Sequence, residues 1–300
     1  MTSNEIAPDS ISAALSGFPE AARQTLAHIA LADSFAGVIS AEAAQVLAGQ
    51  TQLSTEALML ELVALARLYA HPPISGYRAG AVVLGGSGDL ILGANLEFPG
   101  LALNATVHGE QAAVLNAFLH GEQTLHAIAV GGMPCGHCRQ FLSEINDPGL
   151  LVITPLGARP LSEMLPDAFS PAVLGNEQGM FDAPRPALRL DIPEPDDLAL
   201  AALDAARRSY APYSGNWSGL AVETADGRII AAPYLENVAF NPSLPPLQGV
   251  LVAMRMRRLD WSRIRRALLV ETAGSLCSHE PATRRLLATL RDIPLEVLHV

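Results

Sequence analysis

The sequence predicts an α/β protein in which a layered αβα domain occurs twice, behind a small N-terminal helical region. Strand and helix patterns alternate through the middle of the chain, which is typical of a sheet covered by helices. When the chain is aligned with itself, Ser75-Gly76 falls on Ser214-Gly215 and Glu97 falls on Glu236. This internal similarity indicates a duplicated domain, and a length of 300 residues is enough for about two.

The N-terminal region, residues 1–55, is predicted to be helical. Apolar residues recur at helical spacing in 11–18, 21–32 and 41–48, and a further helix over 55–69 opens the next domain. Ser40 and Ser54 precede two of these helices. We expect both to act as N-caps, because a serine side chain can accept a hydrogen bond from a free N–H group of the first turn.

The first α/β domain is predicted over 56–172. Two apolar runs, 79–84 and 90–93, flank a Gly-Gly-Ser-Gly turn and indicate a β-hairpin. The remaining elements of this domain are helix 108–118, strand 127–130, helix 136–145 and strand 150–154. A linker is expected over 173–197, because four prolines and several acidic residues follow one another there. The second α/β domain then spans 198–300.

Two short motifs predict a metal site. They are the H-x-E sequence at His108 and the C-x-x-C sequence at Cys135 and Cys138. Zinc prefers tetrahedral coordination by nitrogen and sulfur, and three protein ligands leave one position open for water. We expect the histidine and the two cysteines to be these ligands. Glu110 is then available to take a proton from the activated water and to deliver it to a leaving group.

Both motifs are expected at the first turns of helices. Residues two apart in a helix point in different directions, so His108 and Glu110 cannot both face one metal from a helix interior. Pro134 favours a helix that begins near Cys135. At such a position the helix dipole and the metal both favour the thiolate form of cysteine.

Other interpretations of the cysteine motif exist. A C-x-x-C pair alone is equally compatible with a redox pair or with half of a structural zinc knuckle. The upstream H-x-E sequence favours a different class, because its combination with P-C-x-x-C is the known signature of zinc-dependent nucleobase deaminases. His137 lies inside the C-x-x-C loop, and we expect it to be a surface or packing residue and not a fourth ligand.

Beyond the metal motif, the chain resembles the cytidine deaminase family in its long, two-domain bacterial form. The similar segments are residues 75–82, 93–98, 235–242 and 243–249. The resemblance implies one zinc ion per subunit and hydrolytic deamination of cytidine and 2′-deoxycytidine to uridine and 2′-deoxyuridine, a reaction of pyrimidine nucleoside salvage. It implies attack by zinc-bound hydroxide, with Glu110 as the proton shuttle. It also implies a homodimer in which the partner subunit completes each active site.

The same resemblance implies roles for five further residues. Asn95 and Glu97 would hold the ribose. Tyr77 would lie beside the pyrimidine, at a position where the family usually has phenylalanine. Gly109, where the family usually has alanine, would offer its N–H group to the pyrimidine carbonyl. Phe169 lies in a segment that carries an aromatic side chain toward the active site of a neighbouring subunit.

The expected substrate is a free nucleoside, because the Glu97 carboxylate would repel a phosphate in a partly dry pocket. A related deaminase that acts on a nucleotide or on a cytosine-containing antibiotic would keep the same zinc residues, and it remains an alternative. A noncatalytic, zinc-stabilised binding protein is a second alternative. It would need a fourth protein ligand, and it would leave Glu110 without a role.

The second domain is predicted to be a catalytically empty copy of the first. When one inserted residue is allowed in the self-alignment, the four site residues fall on unsuitable ones, namely His108 on Gln248, Glu110 on Val250, Cys135 on Ser275 and Cys138 on Ser278. Cys277 is out of register in this alignment and is expected to be an ordinary buried thiol. The proline-rich run 241–248 is expected to cover the active site or to lie at the dimer interface.

Composition restricts the partners and the compartment. A net charge of −11 opposes binding to nucleic acid, because affinity for phosphates comes mainly from Lys and Arg. The apolar stretch 57–70 is interrupted by Glu61 and Arg67, so no membrane span is expected. Three cysteines provide no disulfide framework, which favours the reducing cytoplasm. Residues 1–5 lack the basic and apolar parts of a signal peptide.

Overall fold

A computed structural model describes residues 6–300, so the prediction about a signal peptide lies outside the described residues. The chain begins with helices and one short strand. These are α1 (Pro8–Ala14), α2 (Glu20–Leu31), β1 (Val38–Ile39), α3 (Ala41–Thr51) and α4 (Thr55–Ala66). The hydroxyl groups of Ser40 and Ser54 accept hydrogen bonds from the N–H groups of Ala43 and Ala57. Both predicted N-caps are therefore confirmed.

The first sheet has six strands in the order β1-β3-β2-β4-β5-β6. Its further elements are β2 (Gly80–Gly85), β3 (Leu90–Ala94), α5 (Gly109–Leu119), β4 (Leu125–Val130), α6 (Gly136–Ser143), β5 (Leu151–Thr154), β6 (Gly157–Pro160) and α7 (Leu161–Met164). Only the pair β4 and β5 is parallel among the neighbouring strands that the described residues form in this sheet. Helices α4 and α5 both pack on β2 and β3, which gives a layered domain.

The second sheet has four strands in the order β10-β9-β7-β8. Its elements are α8 (Asp197–Arg207), β7 (Gly219–Thr224), β8 (Ile229–Pro233), α9 (Pro246–Met256), β9 (Ile264–Glu271), α10 (Glu280–Leu290) and β10 (Leu295–His299). Leu220 pairs with Ala232 and Leu269, and its equivalent Ala81 pairs with Gly93 and Val130 in the first sheet. This repeated register confirms the duplicated fold.

The two halves share one hydrophobic core. We call residues 6–172 the N-terminal half and residues 198–300 the C-terminal half; residues 176–196 between them contain no helix or strand. Helices α5 and α9 pack against each other between the two sheets. Gly249 of α9 permits their close approach, because a Cβ atom there would lie 2.8 Å from the Ala232 Cβ and 3.3 Å from a Leu115 methyl group. The halves are therefore packed as a single body.

The predicted alignment of the two halves is wrong at the start of α9. The bridge between Leu235 and Leu244 repeats the bridge between Leu96 and Val107. Helix α5 starts two positions after Val107 and α9 starts two positions after Leu244, so these two starts are equivalent. His108 therefore corresponds to Pro245, Glu110 to Leu247 and Gln111 to Gln248. The loop before α9 is two residues shorter than its counterpart before α5, whereas an insertion was predicted.

The revised alignment still leaves the second half without a metal site. A proline and a leucine replace the histidine and the glutamate, and neither side chain can bind zinc or carry a proton. The prediction that Cys277 is buried is wrong, because this residue is exposed. It lies in the loop that connects β9 to α10, ahead of the helix start at Glu280. Its thiol therefore does not belong to the core of the chain.

Two leucines of the proline-rich run are core residues, whereas the predicted role of the run as a cover or an interface stays a prediction. Leu244 and Leu247 are almost completely buried in the shared core. They cannot form a dimer contact while the chain keeps this fold. Charged substitutions at these two positions would disrupt the core, so they would not test dimerisation.

We predict that Leu247→Ala destabilises the whole protein. The substitution removes buried methyl groups at the junction of the two halves, and such changes cost about 2–5 kcal/mol. The free energy of unfolding can be measured by urea denaturation. Leu276→Ala is the matched control, because Leu276 is fully exposed and its loss should change the stability by less than about 0.5 kcal/mol. Equal stability of the two variants would contradict the shared core.

Candidate metal centre and active site

Three potential ligands come together at the starts of two helices. His108 is the N-cap residue of α5 and Cys135 is the N-cap residue of α6, while Cys138 lies in the first turn of α6. The His108 Nδ1 atom lies 3.5 Å from the Cys135 Sγ atom and 3.3 Å from the Cys138 Sγ atom. The two sulfur atoms are 3.5 Å apart. The predicted placement of both motifs at helix starts is therefore confirmed.

This triangle fits a zinc ion. With Zn–S bonds of about 2.3 Å and Zn–N bonds of about 2.0 Å, the edges of a tetrahedron measure about 3.5–3.8 Å. The three measured separations lie at or just below this range. Among the described residues, these three form the one cluster of histidine, cysteine and acidic side chains that could hold a metal ion. The donor set of one imidazole and two thiols suits zinc and leaves a fourth position open.

The surroundings favour the ionised ligand at Cys135. Hydrogen bonds with Cys138 and His108 lower the pKa of the Cys135 thiol to about 3, although its burial acts in the opposite direction. The N-terminus of α6 contributes in the same sense, since free N–H groups stabilise a negative charge. A thiolate is therefore available at neutral pH to bind a divalent cation.

His137 is not part of the ligand cluster. Its ring stacks on the ring of His108, with centroids 4.8 Å apart. This contact helps to fix the orientation of the His108 ring. Burial lowers the pKa of His137, which keeps the imidazole neutral. The structure therefore confirms the prediction that this residue packs and does not add a fourth ligand.

Glu110 lies in the first turn of α5 beside the three ligands. It is 9% exposed and lines a cavity of about 290 Å³ together with His108 and Cys135. Burial raises the pKa of its carboxyl group above the usual value, and this effect exceeds that of the hydrogen bonds from its own N–H group and from the Cys138 thiol, which lower the pKa. The sequence motif thus places a buried carboxyl group in the wall of the same cavity as two of the three ligands.

The cavity collects most of the predicted site residues. Its wall includes Tyr77, Asn95, Glu97, Gly109 and Glu110. Phe169 is not among the lining residues. It is 44% exposed on the outer surface, where its carbonyl group accepts a hydrogen bond from the Gln140 amide. The structure therefore brings together all the predicted residues except the one that was expected to act in a neighbouring subunit.

Asn95 and Glu97 hold the loop that leads to β2. Asn95 accepts a hydrogen bond from the Ala79 N–H and donates one to the Tyr77 carbonyl. Glu97 accepts hydrogen bonds from the N–H groups of Ile74 and Ser75. Burial raises the pKa of Glu97, but the bonds to Ser75 and Ile74 outweigh it, and the pKa is lowered overall. The carboxylate is therefore ionised and keeps the loop beside the cavity.

The C-terminal half repeats this arrangement of hydrogen bonds. Glu236 accepts hydrogen bonds from the N–H groups of Tyr213 and Ser214, which correspond to those of Ile74 and Ser75. The shared role of the two glutamates is structural. Glu97 thus has a folding role in addition to any contact that it makes with a ligand.

Two functional residues were not identified from the sequence. Gln111 accepts a hydrogen bond from the His108 N–H and donates one to the Pro242 carbonyl of the C-terminal half. A glutamine at the third helical position is the signal that could have found it, because it completes a capping box. Arg67 also lines the cavity and packs so closely on Gly131 that a Cβ atom there would overlap its Nη2 atom. Nothing in the local sequence indicates this contact.

The fold and the site define a zinc-dependent deaminase domain, and comparisons with known proteins agree. Two family models, both described as "Cytidine and deoxycytidylate deaminase zinc-binding region", match residues 53–154 and 161–284. The chain belongs to this family.

The chain is similar along nearly its whole length to cytidine deaminases of bacteria. Cytidine deaminase of Vibrio parahaemolyticus is 40% identical over 97% of this chain and 99% of that protein. Cytidine deaminase of Sodalis glossinidius is 42% identical over 92% of this chain and 94% of that protein. A crystal structure of cytidine deaminase from Mycobacterium tuberculosis is 32% identical, with a TM-score of 0.36 over 38% of this chain and 95% of the other.

Proposed function

We propose that this protein deaminates cytidine and 2′-deoxycytidine by hydrolysis, giving uridine or 2′-deoxyuridine and ammonia in pyrimidine nucleoside salvage. One observation carries the proposal: a buried carboxyl group, Glu110, shares a cavity with a three-ligand zinc site. A purely structural zinc site would be closed by a fourth protein ligand. Among the described residues no fourth ligand lies in the cluster, which favours catalysis over a noncatalytic binding role.

His108, Cys135 and Cys138 hold the metal in this proposal. Zinc, when bound, supplies a Lewis acid that lowers the pKa of a water molecule at the open coordination position. Glu110 would take a proton from the water that attacks C4 and would pass it to N3 of the base. Glu110 would then take the proton of the new C4 hydroxyl group and deliver it to the exocyclic nitrogen, so that the C4–N4 bond breaks, the C4 carbonyl of the product forms and ammonia leaves.

The cavity wall provides groups that orient the base. The N–H group of Gly109 is the first of α5 and has no partner within the helix, so it can donate to the pyrimidine carbonyl. Tyr77 is 64% exposed at the edge of the cavity, where its ring can stack on the base. These two contacts place C4 toward the metal ligands.

Asn95 and Glu97 are proposed to bind the ribose. Each carboxylate or amide oxygen can accept more than one hydrogen bond, so both residues can hold the loop and still accept from sugar hydroxyls. The ionised Glu97 also disfavours a 5′-phosphate, because like charges repel strongly in a partly dry cavity. A free nucleoside is therefore the preferred substrate, and deamination of nucleotides is the alternative that Glu97 argues against.

We further propose a homodimer that completes each cavity with Phe169 of the partner subunit. Phe169 is exposed outside its own cavity, and the cavity of the same chain opens to the surface beside Tyr77. A second aromatic ring over the opening would exclude water during the reaction.

A reducing compartment such as the cytoplasm suits this site. Cys135 is exposed, and its low pKa makes it prone to oxidation. The helices formed by residues 6–300 include none with the length and apolar character needed to cross a membrane.

Because Glu110 is proposed to transfer protons and not to bind zinc, its substitution should reduce turnover without reducing zinc content. Glu110→Gln should lower kcat about 10²-fold to 10⁴-fold, which is the usual contribution of a general acid or base. The variant should still bind one zinc ion per subunit. Turnover can be followed by the loss of cytidine absorbance and zinc by atomic absorption. Glu122→Gln is the matched control, since Glu122 is equally buried but lies outside the cavity. Equal loss of zinc and activity in Glu110→Gln would show that this residue is structural.

Substrate choice tests the function itself. Zinc-loaded protein should convert cytidine and 2′-deoxycytidine and should convert cytidine monophosphate at least about 100-fold more slowly in kcat/KM, because Glu97 repels the phosphate. Efficient conversion of the monophosphate would identify a nucleotide deaminase and would contradict the role given to Glu97. Inactivity on all three compounds would favour the antibiotic deaminase or a noncatalytic protein.

Mixing of two inactive variants tests the dimer. Glu110→Gln removes the proton carrier, and Phe169→Ala removes the ring offered to the partner. In a mixed dimer, the cavity with an intact Glu110 receives Phe169 from the other subunit. Denaturing and refolding the two variants together at equal amounts should restore about one quarter of the wild-type activity, since half the dimers are mixed and each has one complete site. No recovery, with mixed dimers present, would contradict the shared site.

A further inference from the structure

The end of α6 that lies away from the metal ligands is held by the C-terminal half. Glu144 follows the last helical residue and is completely buried. Its Oε1 atom accepts a hydrogen bond from the Tyr210 hydroxyl at 2.7 Å and another from the Tyr213 hydroxyl. Its Oε2 atom accepts one from the Val238 N–H at 2.8 Å. Every partner of this carboxylate among the described residues therefore comes from the other half of the molecule.

A further bond joins the same helix turn to the C-terminal half. The amide of Asn237 donates to the carbonyl of Gln140 at 3.0 Å, and Asn237 is completely buried. The Asn176 amide, which lies between the two halves, donates to the Tyr210 hydroxyl at 2.7 Å and so orders the tyrosine. Buried polar groups of this kind are costly to leave without partners, so the contact has one well-defined geometry.

These partners belong to loops with a known counterpart in the N-terminal half. In the alignment that places Glu97 on Glu236, Tyr210 and Tyr213 correspond to His71 and Ile74. The counterpart loops flank Glu97 and lead to Tyr77 at the cavity. In the C-terminal half the same loops receive the end of α6 in place of a ligand.

We propose that these loops position the metal ligands, with Glu144 as the anchor. We call residues 210–214 and 236–238 the clamp loops. Helix α6 has only eight residues, about 12 Å at the usual rise, so it moves as a rigid rod. The clamp loops fix its C-terminal end, and this fixes Cys135 and Cys138 at its N-terminal end relative to His108 on α5. The C-terminal half thereby acts on the zinc site of the same chain through Glu144.

The hydrogen bonds that the described residues make near the ligands join α6 only to other segments of the N-terminal half. At the N-terminal turn, Arg139 donates to the carbonyl groups of Pro134 and Met164, both of which lie in segments that adjoin α6 itself. The two tyrosines, by contrast, lie in the loop between α8 and β7 of the C-terminal half, and Tyr210 belongs to the shared core. Groups that orient metal ligands without touching the metal commonly change metal affinity 10-fold to 100-fold when removed. The clamp loops are positioning residues of this type and not catalytic residues.

The test removes hydroxyl groups without removing rings. Tyr210→Phe/Tyr213→Phe should weaken zinc binding by about 10-fold, measured by competition with a chromophoric chelator. The absorption spectrum of the cobalt-substituted protein should change, since it reports the geometry of the thiolate ligands. Tyr69→Phe is the matched control, because Tyr69 is a buried tyrosine of the shared core whose hydroxyl makes no hydrogen bond to α6 or to the clamp loops. It should bind zinc as the wild type does.

Zinc affinity and melting temperature together distinguish a loss of ligand positioning from a general loss of protein stability. Melting temperatures of all variants should be compared, and the single variant Tyr213→Phe serves if the double variant does not fold. A loss of zinc affinity in the clamp variants alone supports the proposal. Unchanged zinc affinity and an unchanged cobalt spectrum would overturn it. The inference builds on the zinc site of the proposed function, but zinc affinity needs no substrate, so it can fail or succeed independently of cytidine turnover.

Discussion

The metal site requires ligand atoms from the first turns of two different helices to lie within about 3.5 Å of one another. The rest of the structure depends on this constraint. A histidine on α5 and two cysteines on α6 lie 3.3–3.5 Å apart. Helix α5 is fixed because it is packed between the two sheets. Helix α6 is short and lies farther out, so it needs support from its neighbours. The shared core and the buried network around Glu144 supply that support.

Local features of the site could be predicted from the sequence, because they depend on residues close together in the chain. The spacing of His108 and Glu110, the cysteine pair and the serine caps all act within one helix turn. The alignment of the two halves after Glu236 could not be predicted correctly. The loop before α9 is shorter than the loop before α5, and this shift of the helix start leaves the apolar pattern of the helix unchanged. The exposure of Cys277 was also mispredicted, because the loop that carries it, between β9 and α10, is longer than its counterpart between β4 and α6. The contact of Gln111 with Pro242 joins residues far apart in the chain, and no local pattern indicates it.

The duplicated fold shows which features belong to the architecture and which to the chemistry. Glu97 and Glu236 make the same pair of hydrogen bonds to backbone N–H groups, although one half has no ligands for a metal. A buried carboxylate at this position is therefore needed to fold the loop. The histidine, the two cysteines and Glu110 have no such role, and the second half has none of them. Gln111 and Gln248 occupy equivalent positions on helices that face each other across the core.

The close packing of Arg67 on Gly131 links two positions that lie far apart in the chain. Any side chain at position 131 would occupy the volume of the guanidinium group, and a smaller residue at position 67 would leave a gap beside the cavity. The two positions can therefore be expected to vary together among related sequences. An engineer who wishes to reshape this wall of the cavity would have to replace them as a pair.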